Sequence, residues 1–237
     1  MNKALMLRTC AADMTSYGGF RWPADGPVEC PDWDPSPECG GGLHGALWGE
    51  GDGELFYWEP DARWLVVEVE SSIVVDLGGK VKVPRGVVVH CGDRESATAY
   101  IQAGGAAARA VIGGTAIAGY RGTAIAGYRG TAVAGDGGMA TAGYDGTAVA
   151  GKCGIATAGN CGTATAGDCG TATAGDWGTA TAGYLGTATA GEGGVVRIKH
   201  WRGRWRCAVG YVGEGGIEAG VAYRVRDGVL AIAEVSP

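Results

Sequence analysis

Gly114-Thr-Ala-Ile-Ala-Gly-Tyr-Arg121 is followed at once by Gly122-Thr-Ala-Ile-Ala-Gly-Tyr-Arg129. The same eight-residue sentence recurs, with substitutions, through Gly170-Thr-Ala-Thr-Ala-Gly-Asp-Trp177 and on to Gly193, ten units in all. A fixed short period marks a stacked repeat architecture and outranks local propensity. Each unit splits into a four-residue run with period two, such as Thr-Ala-Thr-Ala, and a Gly-x-x-Gly turn. A four-residue strand spans about 13 Å and must be turned back, so one unit cannot close a coil but two can. The chain is therefore predicted to be mainly β. Its central element is a flat two-sided β-solenoid with sixteen residues per coil and about five coils, roughly 24 Å long.

The units themselves show which side faces in. The second and fourth strand positions are Ala in every unit. The first varies among Thr, Met139 and Ile155, and the third among Ile117, Ile125, Val133, Val149 and Thr. A packed interior tolerates volume changes badly, so the invariant alanines are expected inward and the Thr, Ile and Val positions outward. An Ala core would bring the two sheets closer than the usual ~10 Å. The opposite arrangement, with Thr, Ile and Val inside, stays open at this point.

Outward from the repeats, three regions are expected: a Trp-rich α+β N-terminal domain over residues 1–105, the solenoid over 106–198 and a β-rich C-terminal cap over 199–237. Five of the eight tryptophans (Trp22, Trp33, Trp48, Trp58, Trp64) precede the repeats, which implies a folded domain. Residues 1–60 read as irregular and rich in turn formers. From Arg63 strands are predicted over 64–70, 73–77, 80–83 and 86–91, then a helix from Arg94 to about Ala103, capped by Asp93. The repeat phase extends backward to place Ala108 and Ala110 inward, with Arg109 outward, and forward to place Val196 and Ile198 inward, as degenerate capping rungs. Strands over 195–201, 205–212, 217–225 and 229–235 should then close the far end.

Composition limits the function. Gly is 47 of 237 residues, but it is periodic and is not a disorder signal. Residues 1–95 carry a net charge of −8 and residues 195–237 a net charge of +3, within an overall −6, a balance that argues against general nucleic-acid binding. No apolar run approaches the ~20 residues needed to span a membrane, and the N-terminal apolar stretch is too short for a secretory signal. With eight scattered cysteines, a cytoplasmic protein with reduced thiols is expected.

Two resemblances attach to these residues. The Thr-x-Thr-Ala-Gly-Tyr unit looks like half of the sixteen-residue repeat of bacterial ice-nucleation proteins. The layout also resembles a group of uncharacterised phage and bacterial proteins, in which a segment like Cys39-Gly-Gly-Gly-Leu-His44 precedes short repeats; that likeness implies no known activity. The first implies ice binding through outward Thr-x-Thr ladders, with Thr163, Thr165, Thr171, Thr173, Thr179, Thr181, Thr187 and Thr189 as candidates. Only those four units carry a full Thr-Ala-Thr, however, leaving two clean rungs per face.

The favoured reading is a non-catalytic scaffold or spacer that self-associates or binds a protein partner. Its candidate surfaces are the apolar rows Ile117, Val133, Val149 and Ile125, Met139, Ile155, and an edge where Tyr128 and Tyr144 would stack. Cys153 and Cys169, sixteen apart, should be neighbours on the opposite edge at a spacing compatible with a disulfide, though free thiols are favoured. No cofactor is expected. Cys30, Cys39, His44, His90 and Cys91 lack the paired spacing of structural zinc sites. Gly-Gly-Leu-His44 distantly resembles a strand of ADP-ribosyltransferase-like folds, which would imply Arg8, His44 and Glu68 as a trio. No nucleophile elbow, P-loop or dinucleotide fingerprint accompanies it.

Overall fold

A computed structural model describes residues 2–233 and divides the chain into two compact units between Gly114 and Thr115. The first unit is a seven-stranded sheet with one helix. Its strands are β1 (Lys3–Cys10), β2 (Gly26–Glu29), β3 (Leu43–Leu47), β4 (Arg63–Glu70), β5 (Val75–Asp76), β6 (Val81–Val83) and β7 (Arg85–Gly92), in the order β2-β7-β4-β1-β3-β6-β5 with antiparallel pairings. The run Trp64-Leu-Val-Val is fully buried, as a strand covered on both faces requires. Leu65, Val67 and Val69 join Met6, Leu43, Val83 and Val88 in one core cluster. Helix α1 (Arg94–Ile101) packs against β1, β4 and β7. Its cap is the expected one: the Asp93 carboxylate accepts from the Ser96 amide at 2.8 Å.

Residues 2–60 are rich in turns and loops, as expected, but they also hold three strands of the sheet. β1 lies in the middle of the sheet and pairs with β4 along all eight residues, from Lys3 opposite Glu70 to Cys10 opposite Arg63. Lys3-Ala-Leu-Met-Leu-Arg has neither β-branched residues nor alternation, so its strand state comes from partners on both sides. The expected strand over 73–77 is a 3₁₀ turn (Ser71–Ile73) followed by the two-residue β5.

In the second unit, ten four-residue strands recur every eight residues, from β8 (Thr115–Ala118) to β17 (Thr187–Ala190). They alternate between two sheets, and within each sheet the pairing is parallel at a register of sixteen: Thr131 with Thr115, Thr147 with Thr131, Thr163 with Thr147. The inward side is the alanine side. From Ala124 to Ala190 every strand alanine is at most 4% exposed, and Thr, Ile and Val occupy the other face. Ala therefore forms the core, and the reversed arrangement is excluded.

The rung that was expected at 106–113 does not exist. Ala108 is exposed, Ala110 is half-buried, and no strand lies between Ile101 and Thr115. The chain there is a turn in which Arg109 pairs with Glu50 at 2.6 Å and its backbone amide bonds to Ala106. The forward extension does exist. In β18 (Val195–Trp201), Val196 and Ile198 sit opposite Ala180 and Ala182 and are buried to 0% and 1% exposure. β19 (Trp205–Tyr211) then folds back antiparallel on β18. On the other sheet β20 (Tyr223–Arg226) runs antiparallel to β17 and pairs with β21 (Val229–Ile232). Tyr223, 2% exposed, with Ile217, Val221 and Leu230, plugs the end of the alanine core. The strand expected over 217–225 starts only at Tyr223, after Gly220, which takes positive φ, and the last part of the one expected over 229–235 lies outside the described residues.

The left-handed residue of each Gly-x-x-Gly is the variable one before the second glycine: Arg121, Arg129, Asp145, Cys153, Cys161, Cys169, Trp177 and Leu185 have φ between 51° and 60°. The first glycine is required by crowding between coils. A Cβ on Gly167 would lie 2.7 Å from the carbonyl carbon of Gly151 and from the amide of Lys152. Hydrogen bonds also continue from coil to coil through the turns, as from the Cys153 amide to the Asp168 carbonyl at 2.8 Å. Asp136, Asn160, Asp168 and Asp176 each accept, through Oδ1, from the amide sixteen residues on, at 2.8–3.0 Å.

Candidate functional site

The alternation that buries alanine places ten outward side chains on each sheet's outer face over five coils. On the β8-β10-β12-β14-β16 face they form two columns, Thr115, Thr131, Thr147, Thr163, Thr179 and Ile117, Val133, Val149, Thr165, Thr181. Every one is β-branched, and the first column is an unbroken ladder of five hydroxyls. On the β9-β11-β13-β15-β17 face the columns are Thr123, Met139, Ile155, Thr171, Thr187 and Ile125, Thr141, Thr157, Thr173, Thr189. Met139 and Ile155, 48% and 43% exposed, interrupt the first of these columns, whereas Thr141, Thr157, Thr173 and Thr189 run unbroken in the second.

Counting complete Thr-Ala-Thr units strand by strand overlooked Thr115, Thr131 and Thr147. The signal was present in the sequence, at steps of sixteen residues instead of two. Ile117 is 79% exposed, and Val133, Val149 and Ile125 are half-buried, so both apolar rows lie at the solvent-facing side of their sheets. β-Branched residues are restricted at χ1, and every strand beneath except the terminal β8 and β9 is hydrogen-bonded on both sides, so the array is rigid. Its spacing is set by the backbone: about 4.8 Å between coils and about 6.7 Å between alternate residues of a strand.

One turn edge carries the two tyrosines, Tyr128 and Tyr144, stacked with ring centroids 5.4 Å apart and planes 9° apart. Arg129 bonds to Asp145 at 2.9 Å and lies over the Tyr128 ring, and the Cys161 thiol reaches the Tyr144 hydroxyl at 3.5 Å. Further along the same edge Trp177 is 73% exposed. On the opposite edge Cys153 and Cys169 are exposed free thiols, and Leu185 stands 70% exposed.

In the first unit, Arg8 and His44 meet, with Arg8 Nη1 donating to the His44 carbonyl at 2.8 Å. Glu68 does not join them. It bonds to Lys3 at 2.6 Å and lines a different depression, so the trio implied by the transferase likeness is not assembled. Cys30 donates to Asp32, and Cys39 accepts from Lys80. Among the described residues no three His, Cys, Asp or Glu side chains are placed to hold a metal ion, and no helix is long and apolar enough to cross a membrane.

The fold and its outward rows define a β-solenoid repeat protein with a sheet-rich N-terminal domain. Residues 4–101 match a family described as a domain of unknown function, DUF7666. The chain is similar to ice nucleation proteins. It is 46% identical to that of Pseudomonas fluorescens over 101 residues, 42% of this chain and 8% of the relative. With that of Pseudomonas syringae it shares 45% over 105 residues, 44% of this chain and 9% of the relative. The corresponding figures for the ice nucleation protein InaU of Pantoea ananas are 41% over 102 residues, 42% and 10%. The chain thus spans a tenth or less of the length of these relatives. No solved structure matches it significantly.

Proposed function

We propose that the solenoid is a non-catalytic, water-ordering module that adsorbs to ice through its β8-β10-β12-β14-β16 face. The observation that carries this reading is the unbroken column Thr115, Thr131, Thr147, Thr163, Thr179 beside a second column made wholly of Ile, Val and Thr. Rows of methyls shed water at low cost, while a rigid rank of hydroxyls holds the remaining waters at a fixed repeat. The similarity to proteins named for ice nucleation supports the same reading. Size selects the mode of action. Five coils make an array about 24 Å long, too small to template a critical nucleus efficiently but sufficient to bind existing ice.

Thermal hysteresis and capture by a growing ice hemisphere test it. Wild type and Thr157→Lys, on the other face, should both be active, whereas Thr147→Lys should lose most of the activity. Inactive wild type, or equal activity in all three, overturns the reading.

A second reading, self-association, is favoured by the exposed Met139 and Ile155 and by Trp177 and Leu185 on the turn edges. Light scattering of wild type beside Met139→Lys and Val133→Lys tests both apolar rows. A dimer that becomes monomeric in one variant places the interface on that row, and a monomer throughout removes the reading.

A further inference from the structure

We infer that a cleft in the N-terminal unit, floored by Arg8 of β1 and His44 of β3, binds a small oxyanion attached to a flat apolar ring. The cleft encloses about 800 Å³, within the usual range of small-molecule sites. Its walls combine cations with aromatic rings: Arg8, His44 and Lys80 face it together with Phe20, Trp22 and Phe56.

Among the described residues, the cations of this cleft are not ion-paired. Arg8 lies within the sheet with its guanidinium 5.3 Å from the Trp22 ring centroid. Among the described residues neither Arg8 nor Lys80 has a carboxylate within ion-pairing distance. A half-buried guanidinium without a counter-ion is costly, and Arg8 Nε is buried with no hydrogen-bond partner. His44 Nε2 is in the same condition. The two carboxylates on the walls face other partners: Asp32 accepts from the Cys30 thiol at 2.9 Å and Asp52 from the Glu54 amide at 2.9 Å, and neither pairs with Arg8 or Lys80. Burial first, then Lys80, Arg8 and Lys82, holds the His44 imidazole below its ordinary pKa. Arg8 gives one hydrogen bond to the protein, from Nη1 to the His44 carbonyl, and a guanidinium fork is matched to phosphate or carboxylate. The rings beside them supply a stacking surface for a flat substituent.

Titration of the full chain with phenyl phosphate, benzoate and inorganic phosphate, followed by NMR of the histidine rings, tests the site. Phenyl phosphate should bind saturably and raise the His44 pKa, because a bound anion offsets the three cations. Inorganic phosphate, without the ring, should bind about tenfold more weakly. Benzoate binding as tightly as phenyl phosphate would assign the site to carboxylates; both outcomes support an aromatic oxyanion. Arg8→Lys should weaken phenyl phosphate binding about tenfold. Lys80→Gln, which lies outside the core strands, serves should Arg8→Lys fail to fold. No saturable binding at millimolar phenyl phosphate, or binding that leaves His44 unmoved, overturns the inference. Ice activity is read separately, so failure of one proposal does not touch the other.

Discussion

The two units of this chain reach the β state by opposite routes. In the solenoid each strand has only four residues and a core of alanine methyls, each worth less than about 0.8 kcal/mol on burial. Its order comes from repetition: each coil places the same groups against the same groups, and hydrogen bonds run unbroken through strands and turns. The N-terminal sheet buries larger side chains, Met6, Leu7, Leu65 and Val88 at 0% exposure, and no two of its strands share an environment. Where environments repeat, structure can be read from spacing. Where they do not, it depends on which partners meet.

This contrast can be broken most forcefully inside the alanine core. Ala164→Leu, at a residue with 0% exposure between two sheets, is expected to abolish cooperative folding of the solenoid, as seen by circular dichroism and limited proteolysis. The reverse change in the first unit, Leu65→Ala, should cost about 2–5 kcal/mol by urea titration, the usual range for emptying a core site. If the leucine is tolerated and the alanine is not, the solenoid interior is not close-packed.

Gly167→Ala comes next. Its methyl would meet the Gly151 and Lys152 backbone at 2.7 Å, and a loss of about 1–3 kcal/mol is expected. One coil on, in the Gly183–Gly186 turn, the sign changes. Leu185 holds φ 60°, so Leu185→Gly should stabilise by about 0.5–1 kcal/mol, the left-handed strain removed less the added chain entropy. Equal effects at the two sites would mean that the turns flex and that coil spacing does not constrain them.

The smallest effect belongs to the N-terminal unit. Hydrogen bonds from the Ser96 amide and hydroxyl hold the Asp93 carboxyl below its ordinary pKa. A depressed folded-state pKa contributes stability above the unfolded value, about 3.9, and the contribution is lost as pH falls through the folded value. Asp93→Ala should therefore lower Tm modestly at pH 7, with the difference from wild type disappearing in acid. A pH-independent difference would assign the role to packing.

The candidate surfaces divide in the same way. The Thr and apolar rows are properties of the period, and their columns follow once the sixteen-residue coil is known. The Arg8–His44 cleft assembles residues thirty-six apart in the chain with a loop and Lys80, and no spacing announces it. The transferase likeness named Arg8, His44 and Glu68 together, but the β1–β4 register sets Glu68 opposite Leu5, three residues from Arg8 and on the other face.

By itself the sequence determined the solenoid: its coil length, its alanine interior, its outward rows, the Asp93 cap and the closing rung at Val196 and Ile198. The solenoid features depend on side-chain alternation and on contacts between like neighbours, which a period states in full, and the cap depends on a hydrogen bond within one helical turn. Tertiary structure decided that Lys3–Cys10 is the central strand, that residues 106–113 form no rung and that the left-handed turn residue is the variable one. Each of these depends on what packs against the chain from a distance. β1 has two partner strands, Arg109 has Glu50, and the turn glycines must leave room for the backbone of the coil before.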